Sequence, residues 1–339
     1  TTVTNAFNVG ANTLNIGSTG TLDCGGNITL NNANSKLLFS DAGSVGGNVV
    51  VSATPNAGKG IDVDVSGASL NGNLTLDSSG NINIATNSTF FYEGATVDIG
   101  NNDSLTLTGA DATSVLQGAN NLQINNTGNL TIGGDVLLNM PITLAGTGTS
   151  TLDLGNNSLT YYDASAARIY VSGRTLNILG SGDLSNNATN TLDLSGGSIL
   201  NLNGATVYHV TQGTKVDDDV AAGKGISSNS DSTITTFAMD ASAALIGTAT
   251  TTVTNAFNVG ANTLNIGSTG TLDCGGNITL NNANSKLLFS DAGSVDGAVV
   301  VSATPNAGKG IDVDISGASL NGNLTLDSSG NINIATNST

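Results

Sequence analysis

Gly72-Asn73-Leu74-Thr75-Leu76-Asp77-Ser78-Ser79-Gly80-Asn81-Ile82-Asn83-Ile84 holds two short strands and the corner between them. Leu74/Leu76 and Ile82/Ile84 are apolar pairs spaced by two, so in an extended chain each pair lies on one face. Between them runs Asp77-Ser78-Ser79-Gly80, residue types that accept the backbone of a tight turn. The same unit recurs on both sides, as Leu14/Ile16, Leu22/Cys24, Ile28/Leu30, Leu37/Phe39 and Val49/Val51 before it. After it come Leu105/Leu107, Leu130/Ile132, Leu152/Leu154, Leu176/Ile178, Leu192/Leu194 and Leu200/Leu202. Successive pairs follow at short intervals, as from Leu14 to Leu22 or from Leu192 to Leu200, with Gly, Asn, Asp and Ser between them.

Strands with only two inward side chains decide between the all-β architectures. A sandwich wants longer strands to fill a core about 10 Å thick between its sheets. A parallel β-solenoid needs no more than two, because each coil stacks on the last at about 4.8 Å. Three strands at such intervals make a coil of about 21 to 24 residues. The expectation is therefore an all-β chain folded as a parallel β-solenoid with three short strands per coil. Leu14, Ile16, Leu22, Cys24, Leu152, Leu154, Leu192 and Leu194 should be buried in it.

A longer period overlies the short one. Residues 1–89 recur as 251–339, identical at 86 of 89 positions. The exceptions are Gly46 against Asp296, Asn48 against Ala298 and Val65 against Ile315. Such near-identity points to a tandem array in which Thr1 and Thr251 open successive periods. The organisation expected is solenoid over 1–210, an irregular junction or decorated coils over 211–250, and solenoid again over 251–339. In the junction, Ala238–Leu245 is Ala-rich and reads as a short helix. Ala222-Gly223-Lys224-Gly225-Ile226 echoes Ala57-Gly58-Lys59-Gly60-Ile61, which makes the junction a decayed coil pair.

Composition fits this and excludes several functions. Only 10% of the residues are charged, and Asn, Thr, Ser and Gly take the place that charges fill in ordinary domains. Eight Lys and Arg against 25 Asp and Glu give a net charge of −17, which excludes a basic nucleic-acid footprint and attraction to anionic membranes. No apolar run reaches the roughly 20 residues of a membrane span, and no signal-peptide layout is present, so a soluble segment is expected with any export signal outside it. Paired Asn at 31–32, 101–102, 120–121, 125–126, 156–157 and 186–187 fall between strand pairs, where stacked amides are expected to form ladders.

The candidates for chemistry are few. Cys24 and Cys274 are one position seen twice, standing where Leu154 and Leu194 stand in related strings, so a buried core residue is expected and a disulfide between them is not. His209 is the only histidine, which leaves no pair for a metal or a proton relay. Asp217-Asp218-Asp219 lacks the spacing of a calcium loop and reads as a solvated acidic turn. Arg168 and Arg174 are the only closely spaced cations of a period, and Phe91, Tyr92, Tyr161, Tyr162 and Tyr170 are the main aromatic platforms for a sugar. No catalytic, cofactor-binding or metal-binding residue is assigned, and no cofactor is expected.

In composition and rhythm, strings such as residues 72–84 resemble the repeats of large bacterial exported adhesins. These are the filamentous-haemagglutinin-like proteins and autotransporter passenger domains, and the resemblance covers most of 12–205 and 262–339. It implies a right-handed parallel β-helix, export across the bacterial envelope, an extracellular location at the cell surface and a role as stalk or fibre. The near-identity of the long periods adds a filament or surface layer, with the chain itself as partner through neighbouring repeats. A cell-surface receptor or glycan is the other partner such a fibre would meet. The rival reading is a carbohydrate-active β-helix enzyme, a polysaccharide lyase or hydrolase. That reading asks for a groove lined by at least three carboxylates with a cation or metal.

Overall fold

The structure is a computed structural model that describes residues 1–161, 169–171, 174–186, 192–194, 199–203, 206–212, 225–239 and 242–339. Every regular element among them is a β-strand and the strand pairings are parallel, so the chain is a parallel β-solenoid. The Ala-rich stretch departs from expectation. Ser232–Met239 and Ala243–Leu245 are strands, because their apolar side chains are claimed by the coils beside them and tertiary contact overrides helix propensity. The chain divides into two compact units, Thr1–Ile169 with Gly182–Asn190, and Tyr170–Ser181 with Thr191–Thr339.

In the first unit each coil contributes three strands to three faces. The first face runs through Thr13–Ile16, Lys36–Phe39, Gly60–Val63, Gly80–Ile84, Ser104–Gly109, Asn129–Gly134 and Thr149–Asp153. The second runs through Thr21–Cys24, Ser44–Val45, Ala68–Leu70, Thr89–Tyr92, Val115–Gly118 and Val136–Asn139. The third begins with Phe7–Asn8, Ile28–Leu30, Val49–Val51 and Leu74–Leu76. Residues 72–84 thus supply one strand to the third face and one to the first, with the corner between them as expected.

Register is what makes the core. Leu37 lies opposite Ile61, Ile61 opposite Ile82, Ile82 opposite Leu107 and Leu107 opposite Ile132, so like side chains stack in one column. All five are at most 3% exposed. Burial of each contributes about 1.5–3 kcal/mol. Coil length is not constant: the coil that carries Thr13 onto Lys36 is shorter than the one that carries Phe90 onto Leu116. The variation is taken up in the corners, which leaves the strands in register.

The second unit repeats the pattern with wider swings. Thr175–Leu179 pairs with Ile199–Asn203, which pairs with Gly225–Ser230. Ile226 lies opposite Leu245 across a short coil, whereas Val210 lies opposite Phe237 across a long one. Ile226 occupies the inward column in the second unit as Ile61 does in the first, and each is 1% exposed. From Thr250 onward the pairing of the first copy returns: Thr263 faces Lys286 as Thr13 faces Lys36, and Leu287 faces Ile311 as Leu37 faces Ile61.

Ile16, Cys24, Leu152, Leu154 and Leu192 are buried as expected. Leu14 and Leu22 are only half-buried: the strand of Leu14 pairs on one side alone, and Thr2–Val3, which flanks Thr21–Cys24, pairs with Asp23 and Cys24 and leaves Leu22 uncovered. The equivalent Leu264 and Leu272 are covered on both sides and are 0% and 2% exposed. Leu194's side chain lies outside the described residues.

Among the described residues the paired asparagines act differently from the expected amide ladders, and the side chains of Asn186 and Asn187 lie outside them. Asn31 Oδ1 accepts the Gly10 N–H at 3.0 Å, Asn120 Nδ2 donates to the Gly94 carbonyl at 2.6 Å, and Asn157 Nδ2 to the Ile132 carbonyl at 2.7 Å. Asn102 and Asn126 hold φ of 66° and 51°, the left-handed turn that Asn accepts. A corner exposes backbone groups that the sheets leave unpaired, and the amides go to those first. Direct amide-to-amide bonds between coils occur elsewhere, at Asn56–Asn34 (3.0 Å) and Asn201–Asn177 (2.6 Å).

Candidate binding groove on the second face

On a strand of the second face alternate residues point outward, and parallel register aligns them from coil to coil. The outward row runs Thr21, Ser44, Ser69, Phe91, Gln117 and Asn139. Its first members are small hydroxyl residues, and Thr21 and Ser44 share a hydrogen bond at 2.7 Å. Phe91 breaks the pattern. Its neighbours Phe90 and Tyr92 point into the core at 0% and 2% exposure, with Phe90 packed 5.5 Å from Phe39, so the alternation of Thr89–Tyr92 leaves Phe91 half-buried on the outside.

Around Phe91 the surface dips into a shallow groove of about 450 Å³ lined by Tyr92, Glu93, Gln117, Gly118, Ala119 and Asn139. Its floor is set by a glycine. A Cβ at Gly118 would stand 2.8 Å from the Tyr92 carbonyl oxygen and 3.3 Å from Met140 Cε. Beneath the groove the Tyr92 hydroxyl donates to the Ala95 carbonyl at 2.5 Å and accepts the Leu74 N–H at 3.1 Å. Burial pushes this phenol above its ordinary range, and the Leu74 N–H partly offsets the shift.

The other sequence candidates fall into three groups. Cys24 and Cys274 are buried and free, with Sγ 3.5 Å from the Asn5 carbonyl and 3.7 Å from the Asn255 carbonyl. Burial also pushes the Cys274 thiol up, away from reactivity. Arg174 and Tyr170 lie half-buried in the second unit. Arg168, Tyr162 and Asp217-Asp218-Asp219 lie outside the described residues, as do the side chains of Tyr161 and His209.

Among the described residues no three His, Cys, Asp or Glu side chains come together as a metal site would need. Two acidic positions that do meet are Asp62 and Asp64, beside Asn83 and Thr108 on the first face. Asp62 is held by an ion pair to Lys36 and by Asn83 Nδ2 at 2.7 Å. The second copy repeats this set as Lys286, Asp312 and Asn333, the last bond at 2.6 Å. Among the described residues no helix is long and apolar enough to cross a membrane.

Fold and surface together define a tandem-repeat parallel β-solenoid with an aromatic groove on its first unit. No protein-family model, no curated protein and no solved structure matches the chain.

Phe91 is one of five aromatic candidates in the sequence, and its alignment with Gln117 and Asn139 is not legible there. Those residues lie on later coils, and the step from Phe91 to Gln117 is longer than the step from Gln117 to Asn139. Only coils of unequal length bring the three into one row.

Proposed function

We propose that the chain is a segment of an extracellular structural or adhesive fibre of the bacterial surface, whose tandem periods stack on one another through their solenoid coils. The observation that carries this is the repetition itself. Two stretches identical at 86 of 89 positions hold the same strand register and the same Lys–Asp–Asn set. A sequence that repeats with so little change suits a task done by length and surface, in which every period does the same thing. Sparse charge and core cysteines that form no disulfide fit a close-stacked polymer.

The test is surface display. Antibody raised against the 339-residue chain should label intact cells of the source organism, and external protease should release fragments carrying the repeat. Label that enters only after lysis would overturn the reading. The enzyme alternative predicts depolymerisation of a polysaccharide by the purified chain, read as new reducing ends or new unsaturation. Fibre function predicts none.

A further inference from the structure

We propose that the groove around Phe91 binds a neutral pyranose glycan, without cleaving it; this rests on the adhesive reading and gives it a ligand. Three observations converge there. The first is the ring itself, half-buried on an outward row otherwise made of Thr, Ser, Gln and Asn. An aromatic face offers a flat apolar surface to the C–H side of a sugar ring.

The second is the state of the polar groups beside it. Glu93, Gln117 and Asn139 line the groove, and none of the three uses its side-chain head group in a hydrogen bond or ion pair among the described residues. Other amides of the first unit behave otherwise: Asn120, next to Ala119, bonds the Gly94 carbonyl, and Asn83 on the first face bonds Asp62. Two amides and a carboxylate left free around one ring supply the paired donors and acceptors that vicinal hydroxyls need. The third is size and charge. A volume of about 450 Å³ is within the range of small-ligand sites, and among the described residues no cation lines the groove. A chain of net charge −17 with Glu93 at the rim repels carboxylated or sulfated sugars, so the ligand is neutral.

Among the described residues the groove holds one carboxylate and no second acid, so it offers recognition and not the carboxylate pair of glycoside hydrolysis.

The experiment uses the whole chain with neutral oligosaccharides as probes: cello-, manno-, malto- and galacto-oligosaccharides, each titrated to millimolar concentration and followed by calorimetry and NMR. At least one should bind saturably. Phe91→Ser, which puts the row's usual residue type in the groove, should raise its dissociation constant at least tenfold. Gln117→Ala with Asn139→Ala should do the same through the hydrogen bonds. Both variants change outward side chains, and an unchanged melting temperature confirms that they fold.

No saturable binding by any neutral probe would overturn the proposal. So would binding that survives both variants, or stronger binding of an anionic polysaccharide. Each of these leaves surface display of the fibre standing, because antibody labelling reads a different property.

Discussion

Gly47, Gly72 and Gly94 form a column at the corner between the second and third faces, and each is glycine for a steric reason. A Cβ at Gly72 would run into the Gly47 carbonyl oxygen, and one at Gly94 into that of Gly72. The second copy reproduces the contact, Gly322 against the Gly297 oxygen. Gly58 is glycine for the other reason: φ is +67° with nothing within 4 Å of a Cβ. Gly58→Asn should therefore change stability by no more than about 0.5 kcal/mol, since Asn accepts that conformation. Gly72→Asn should cost at least about 1–3 kcal/mol by overpacking. Chemical denaturation of the two variants reads the difference. Equal costs would show that the corner has room.

Two further residues test the core directly. Leu154 is 0% exposed, so Leu154→Asp strands a carboxylate among aliphatic side chains and should cost several kcal/mol, read as a fall in melting temperature. Tyr92→Phe removes a hydroxyl that serves both the Ala95 carbonyl and the Leu74 N–H, at a cost of about 1–3 kcal/mol. The Tyr92 phenol is pushed up by burial, so its contribution to stability is complete below the ordinary phenol range and is lost as pH rises through the shifted value. Ultraviolet titration should show this phenol ionising above the ordinary phenol range.

At the scale of elements, strand positions are legible in the sequence and their partners are not. Two apolar residues spaced by two mark a strand wherever they occur, because only one face is buried. Which strand stacks on which depends on corner length, and corners vary without an apolar signature. The inward column from Leu37 to Ile132 can be anticipated, whereas the outward row of Phe91, Gln117 and Asn139 has no pattern to announce it. The same gap explains Ala238–Leu245, where helix propensity points one way and a neighbouring coil the other.

Corner turns carry their own pH signature. Asp111 accepts the Thr113 hydroxyl at 2.5 Å and the Thr113 N–H at 2.9 Å, and these bonds hold its carboxyl below the ordinary range. A depressed carboxylate contributes stability above its unfolded value and loses it as pH falls through the folded one. Amide exchange of Thr113 and Ser114, relative to the intrinsic rate, should accelerate only at pH below the usual carboxylate range. The Lys36–Asp62–Asn83 set joins three coils on a partly exposed face, so Lys36→Met should cost under about 1 kcal/mol and be weakly salt-dependent.

The two copies give the whole molecule an internal control. Where they differ, the surroundings absorb the change. Asp296 stands opposite Asp273, and Asn321 Nδ2 donates to it at 2.5 Å, which offsets like charges in register. Ala298 gives up the bond that Asn48 Oδ1 accepts from the Asn73 N–H at 3.0 Å. Val65 against Ile315 adds a methylene, and nothing else in the structure marks that exchange.

Where the sequences are identical, burial still differs. Leu74, Leu76, Ile82 and Ile84 are 3%, 8%, 3% and 2% exposed, and the same residues as Leu324, Leu326, Ile332 and Ile334 are 36%, 53%, 53% and 61% exposed. The first set is covered by the following coil, with Leu107 opposite Ile82, and the second set has no coil above it in the 339-residue chain. In a stacked solenoid a residue is buried by its neighbouring coils and not by its own sequence. A sandwich built of identical segments would bury both alike.

Thiol labelling reads this directly. With Cys24 and Cys274 replaced by Ala, single cysteines are placed at 84 and at 334 of the 339-residue chain and their reaction with a maleimide is timed. Position 334 should react at the rate of an open site, and position 84 slower by more than about a hundredfold, limited by opening of the coil that covers it. Equal rates at the two positions would contradict the solenoid.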